Sequence, residues 1–155
     1  MKNVLFVCHL ALGLLAISIA PVHAIEQQQF KNHASYKIFY SAFGSSFLTP
    51  EIAVANNIVR GKDRGIVNIA VVETLGMGLP AEVSGVVSNI FQQRQKLIFT
   101  EIREQNTVYY LAPFKFDNED YLTFKIKVTP KAEGAKPMQA YDFKFQKKMY
   151  HNWSD

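Results

Sequence analysis

The stretch LTFKIKVT, residues 122–129, alternates without a break: Leu122, Phe124, Ile126 and Val128 fall on one side, and Thr123, Lys125, Lys127 and Thr129 on the other. Successive side chains of an extended chain point to opposite faces, so the pattern is that of a strand with one face on a core and one in water. A helix would scatter the same four apolar residues around its circumference. On the C-terminal side, residues 138–146 repeat the alternation, with Tyr141, Phe143 and Phe145 inward and Asp142, Lys144 and Gln146 outward. On the N-terminal side lies an aromatic-rich strand at 107–116, in which Pro113 cannot donate to a ladder and so predicts an edge or a bulge. Before it come single strands at 96–103 and 82–91, the latter with Gly85 at a bulge or a close backbone approach. Residues 66–72 are apolar on both faces, as a central strand requires. At 35–43, Tyr36, Ile38 and Tyr40 alternate with Lys37, Phe39 and Ser41; Phe39 predicts partial cover of the second face.

Two connections have their own signals. Thr49 at an N-cap, Pro50 at the first helical position and Glu51 in the first turn predict a helix of about two turns, with Ile52 and Ala55 three apart on one face. Residues 60–65 (RGKDRG) read as a turn, since both glycines can take positive φ and Asp63 can form a side-chain turn. Seven strand candidates at spacings of roughly ten residues, with one helical insert, predict an immunoglobulin-like antiparallel β-sandwich of about seven strands. The cysteine pair that marks antibody domains is absent, so the likeness is one of topology class.

Residues 1–24 have the layout of a secretory signal peptide: Lys2, an apolar run, then Pro21 and the small-residue ending Val22-His23-Ala24. Cleavage after Ala24 leaves one domain, 25–155, whose opening residues 25–34 are largely polar and read as a leader into it. The domain is expected in the periplasm or outside the cell, with no stable membrane insertion once the signal is gone. Cleavage removes one base and no acid, so a net charge of +4 becomes +3, too small and scattered for nucleic acid. It also removes Cys8, the sole cysteine, which excludes disulfides, thiol catalysis and cysteine-ligated zinc from the mature chain.

The residues Tyr40, Phe43, Ser45-Ser46-Phe47-Leu48, Pro50-Glu51, Arg60, Arg64-Gly65, Asn68, Arg103-Glu104 and Val108-Tyr109-Tyr110-Leu111 resemble an exported gamma-proteobacterial family, domain of unknown function 4426. The resemblance implies export and a sandwich fold. It implies no activity, and no site residue is carried over from it.

Four chemistries have candidate residues in the chain. Ser45 and Ser46 follow Gly44, but no hydrolase-type nucleophile motif surrounds them and the available bases, His33 and His151, lie near the chain ends; turn serines are the simpler reading. Asp117-Asn118-Glu119-Asp120 offers oxygens for calcium without the spacing of a calcium loop, which reads as a polar hairpin tip. Arg60, Lys62 and Arg64 around two glycines form either an anion nest or solvated loop charges. Tyr150 and Trp153, among polar residues beyond the last strand, suit a recognition surface, and an open sheet edge could accept a partner's strand. No catalytic residue, metal ligand or cofactor is assigned. The expected function is a non-catalytic exported binding or accessory domain for an envelope protein or peptide, with Ser45, Ser46, Arg60, Lys62, Arg64, Tyr150 and Trp153 as surface candidates. The alternative is a small periplasmic hydrolase or metal-dependent enzyme whose groups meet only in the fold.

Overall fold

The alternation at 122–129 is realised in a computed structural model that describes residues 29–73, 76–131 and 139–151. The signal-peptide segment 1–24 and Trp153 lie outside the described residues. Nine strands are described: β1 Phe30–His33, β2 Tyr36–Gly44, β3 Arg64–Glu73, β4 Ala81–Ser88, β5 Arg94–Leu97, β6 Thr100–Glu104, β7 Thr107–Lys115, β8 Asp120–Pro130 and β9 Tyr141–Met149. They form two antiparallel sheets, a five-stranded one in the order β1-β2-β3-β7-β6 and a four-stranded one in the order β5-β4-β8-β9. The sandwich core follows the sequence parity. In β8, Leu122, Phe124, Ile126 and Val128 are all at most 2% exposed, while Lys125 and Lys127 face water. Phe124 stacks on Phe145 at 4.7 Å and meets Phe114 edge-on at 5.2 Å, so three aromatics tie the sheets together.

β3 is central, between β2 and β7, as its two apolar faces require. Gly85 marks a close approach: a Cβ there would lie 2.8 Å from the Lys125 carbonyl oxygen and from Ile126 Cδ1. Pro113 sits where β7 has run past the end of β6, whose pairing stops at Leu111, so its missing N–H interrupts no ladder on that side. Further along the same open side, the Gln95 carboxamide substitutes for a strand. Its Oε1 accepts from Lys115 N at 2.9 Å and its Nε2 donates to Lys115 O at 2.7 Å.

Several expectations are corrected. The leader is not all outside the domain, because Phe30–His33 pairs with β2, the Phe30 ring lying 5.6 Å from Phe39. Residues 96–103 are not one strand: β5 pairs with β4 and β6 with β7, so the chain changes sheet at Ile98 and Phe99. Phe99 packs against the core between the two halves, which keeps the alternation unbroken in sequence while the partner sheet changes. Nine strands replace about seven for these two reasons. The strand predicted to reach Phe91 ends at Ser88, and Phe91 is exposed. The helix α1, Pro50–Ala55, starts as predicted, Thr49 Oγ1 accepting from Ile52 N at 3.4 Å. It buries Ala53, however, and leaves Ile52 exposed. Neither glycine of the RGKDRG turn takes positive φ. Gly65 is needed for another reason: it pairs with Phe114, whose ring lies over it, and a Cβ would stand 2.6 Å from Cε2.

Candidate functional site

The loop between β2 and β3 is held by a serine. Ser45 opens a 3-10 turn, Ser45–Phe47, and is completely buried. Its Oγ accepts from Gly61 N at 3.0 Å and donates to Gly61 O at 3.4 Å, binding both polar groups of one residue as a neighbouring strand would. The Ser46 carbonyl accepts from Arg60 Nη2 at 3.0 Å. Arg64 Nε lies 3.7 Å from Asp63 Oδ1. Ser45 is therefore not at the surface, a correction to its place among the candidates: its Oγ is turned inward to bond both polar groups of Gly61. Ser46 and Arg60 are tied to each other and Arg64 to its neighbour Asp63, so the two arginines have different partners. Glu51, which could have drawn them inward, is exposed; its carboxyl is held below the usual range first by the backbone N–H at the helix start, then by Thr49, with Arg60 a smaller cause.

The other titratable groups are also placed by structural contacts. His33 packs on Tyr141 at 4.5 Å and Tyr36 at 5.3 Å, and His151 on Phe116 at 5.6 Å. In the 117–120 tip, Asn118 accepts from His151 N at 2.9 Å, Glu119 from Lys148 Nζ at 2.9 Å and Asp120 from Asp117 N at 3.5 Å. Each of those side chains serves a different partner, and among the described residues no three of His, Cys, Asp and Glu gather as a metal site. Tyr150 is exposed, with Lys148 Nζ 5.1 Å from its ring centroid. Glu101 is half of an inter-sheet link: it accepts from the Tyr110 hydroxyl at 2.9 Å, and that hydroxyl accepts from Ala81 N across the core at 2.6 Å. Burial is the main cause that pushes the Tyr110 phenol up to about 12.

A large concavity lies on the side of Phe39 and Tyr150. A groove of about 1080 Å3 starts on the outer face of the five-stranded sheet, at Phe39, Phe43, Asn68, Ala70 and Tyr109. Pairing explains the cluster, because Phe39 stands opposite Ala70, Ala70 opposite Tyr109, and Ser41 opposite Asn68. The groove then passes over the edge of β2 to Phe145 through Tyr150 at the end of β9. On its mostly apolar floor, Asn68 Oδ1 is buried and has no hydrogen-bond partner among the described residues. A buried acceptor left unpaired is costly, and an orphan beside a groove marks a place for a ligand's donor. The signal for this face was in the sequence: Phe39 on a nominally outer face, and β3 apolar on both. A cavity of about 170 Å3 near Asp117, Asp120 and Gln95 is much smaller.

The family model for domain of unknown function DUF4426 matches residues 30–152. The crystal structure of a DUF4426 family protein from Pseudomonas aeruginosa is similar at 29% identity and a TM-score of 0.72, covering 83% of this chain and 99% of that one. FetP of uropathogenic Escherichia coli, expressed in the periplasm, is similar at 10% identity and a TM-score of 0.58, covering 81% and 95%. A copper-bound variant of FetP matches equally, at 10% identity and 0.58, covering 81% and 96%. At that identity the two FetP structures speak to the fold alone. No curated protein matches the chain. Among the described residues, no helix is long and apolar enough to cross a membrane.

Proposed function

We propose, from the premise that this chain belongs to the DUF4426 family, that it is an exported, non-catalytic binding or accessory domain whose binding site is the groove from Phe39 and Asn68 to Tyr150. The observation that carries the reading is the buried Asn68 Oδ1, unpaired among the described residues, in a mostly apolar, open groove. A recognition site combines this kind of apolar surface with a few polar groups that fix orientation. Export is read from residues 1–24, and a partner in the cell envelope follows from it. The burial of Ser45 weighs against a serine hydrolase, because a nucleophile must reach its substrate. The copper of the FetP variant is not part of the reading, since at 10% identity it is a property of that protein.

The test is photo-crosslinking in intact cells at native expression, with the photoreactive residue placed at Ser41 or Tyr109 in the groove and at Glu82 as a control on the other sheet. Reproducible adducts of one partner from the groove positions alone are expected. Adducts from neither groove position, or equally from Glu82, would sink the proposal.

A further inference from the structure

We infer that the end of the sandwich formed by the loops 44–64 and 88–94 rests on a phospholipid bilayer, with Phe47, Val54, Val59, Ile90 and Phe91 entering the acyl boundary. The inference does not depend on the groove. Strand register brings the two loops together. Gly44 pairs with Gly65, Arg64 with Lys115, Ser88 with both Arg94 and Thr123, and Asp120 with Met149, so these strand ends share one end of the molecule. Gln95 bonds Lys115 from the other sheet, and Asp63 and Asn89 border the same small cavity. The five apolar side chains of this end are all well exposed, from Val59 at 63% to Phe91 at 78%. Ile52 and Tyr150, at the same end, are exposed as well. Elsewhere among the described residues, Met77 is exposed beyond the opposite end of β3, and Ile98 at the crossing from β5 to β6.

Single apolar residues scattered over a surface need no explanation, but large ones gathered at one end mark a contact with a partner or a membrane. Each of these stands clear of its neighbours, on turns and on the six-residue helix α1. A protein partner would hold such anchors in fitted pockets, whereas lipid flows around a protruding side chain and needs no matching shape. The charges suit the same surface. The two loops carry Arg60, Lys62, Arg64 and Arg94 against Glu51 and Asp63. Arg60 directly follows Val59, and Arg94 closes the turn that holds Ile90 and Phe91. Cations beside apolar tips match the order of a bilayer surface, phosphate above acyl chain. The acids Asp117, Glu119 and Asp120 occupy the neighbouring hairpin tip, where Glu119 pairs with Lys148. They limit the electrostatic attraction, so burial of the apolar tips supplies most of it. The contact is peripheral and reversible, because a few side chains bury far less than a spanning segment.

The exported, purified protein is floated with vesicles of phosphatidylethanolamine containing a minority of phosphatidylglycerol, and a bound fraction is expected to rise with them. Phe91→Ser should lower the partition coefficient about tenfold and Val54→Ser about fivefold, since each removes one inserted side chain. Both positions are exposed, so neither change should move the Tm. Ile98→Ser removes an exposed apolar residue away from this end and should leave binding as it was. Phe91→Trp should add an emission that shifts to the blue on vesicles and is quenched by brominated acyl chains, over a parent whose sole tryptophan is Trp153. The same reading from Ile98→Trp should not change. High salt should weaken binding without removing it. No flotation of the wild type, binding unchanged in both Phe91→Ser and Val54→Ser, an equal loss in Ile98→Ser, quenching at Ile98→Trp, or loss of all binding in salt would each overturn the inference. A dimer or a crosslinked protein that depends on Phe91, found without vesicle binding, would overturn it too and give this end to a protein. Crosslinks from Ser41 and Tyr109 without flotation would leave the groove reading standing and remove the membrane contact alone.

Discussion

Tyr110 shows how one hydroxyl can hold two sheets. It accepts from Ala81 N on β4 and donates to Glu101 on β6, and both interactions are lost in Tyr110→Phe. The buried Ala81 N–H is then unpaired, and a loss of about 1–3 kcal/mol is expected in urea unfolding. The pH profile tests the same link. The folded phenol ionises at about 12 rather than 10, so the stability from keeping it neutral is complete below about pH 10 and is lost as pH rises toward 12. Glu101 shifts the other way: the Tyr110 hydrogen bond first, then Arg103, lower its pKa from 4.5. Its contribution is complete above about pH 4.5 and is lost as pH falls through the lowered value. Tyr110→Phe should therefore flatten the alkaline limb and make the acid limb shallower. Ser45 makes a second test at this scale. Ser45→Ala strands both Gly61 polar groups, and a loss of about 1–3 kcal/mol of stability is expected in urea, with no change in any binding mapped to the groove.

The strands and the helix differ in what supports them. β3 has hydrogen-bonded neighbours on both sides and six of its residues are buried, whereas α1 buries only Ala53 and is six residues long. A helix so short has little stability of its own and depends on its N-cap and its docking. Amide hydrogen exchange should thus find the α1 amides exchanging well before those of β3, and Thr49→Ala should accelerate α1 while leaving β3 unchanged. Protection of α1 equal to that of β3 would contradict this account. The capping signal of the helix was plain in the sequence because Thr49, Pro50 and Glu51 act locally. Its buried face was not, because six residues are too few for a periodic stripe, and the choice between Ala53 and Ile52 depends on where the loop lays the helix down. β1 was missed for a similar reason. Phe30 and three polar residues carry no alternation, and their pairing comes from the free edge of β2.

Across the whole molecule, stability converges on the aromatic contacts at the centre. Phe124 lies fully buried between Phe145 and Phe114. Phe124→Ala should cost about 3–5 kcal/mol, a large share of the roughly 5–15 kcal/mol that holds a domain folded, and the denaturant midpoint should drop accordingly. Retention of the wild-type midpoint would mean that the two sheets are joined elsewhere.

The sequence by itself determined the sandwich class, the parity of β2, β8 and β9 and the start of the helix, because period-two burial and caps are properties of neighbouring residues. Phe39 and the two apolar faces of β3 also announced that an outer face would be covered or used. Only the tertiary structure decided that Leu97 and Thr100 belong to different sheets, that Ser45 is interior, and that the groove beside Phe39 and Asn68 reaches β9. Each of these depends on which edges meet in space, and the chain's local pattern is the same whichever partner a strand takes.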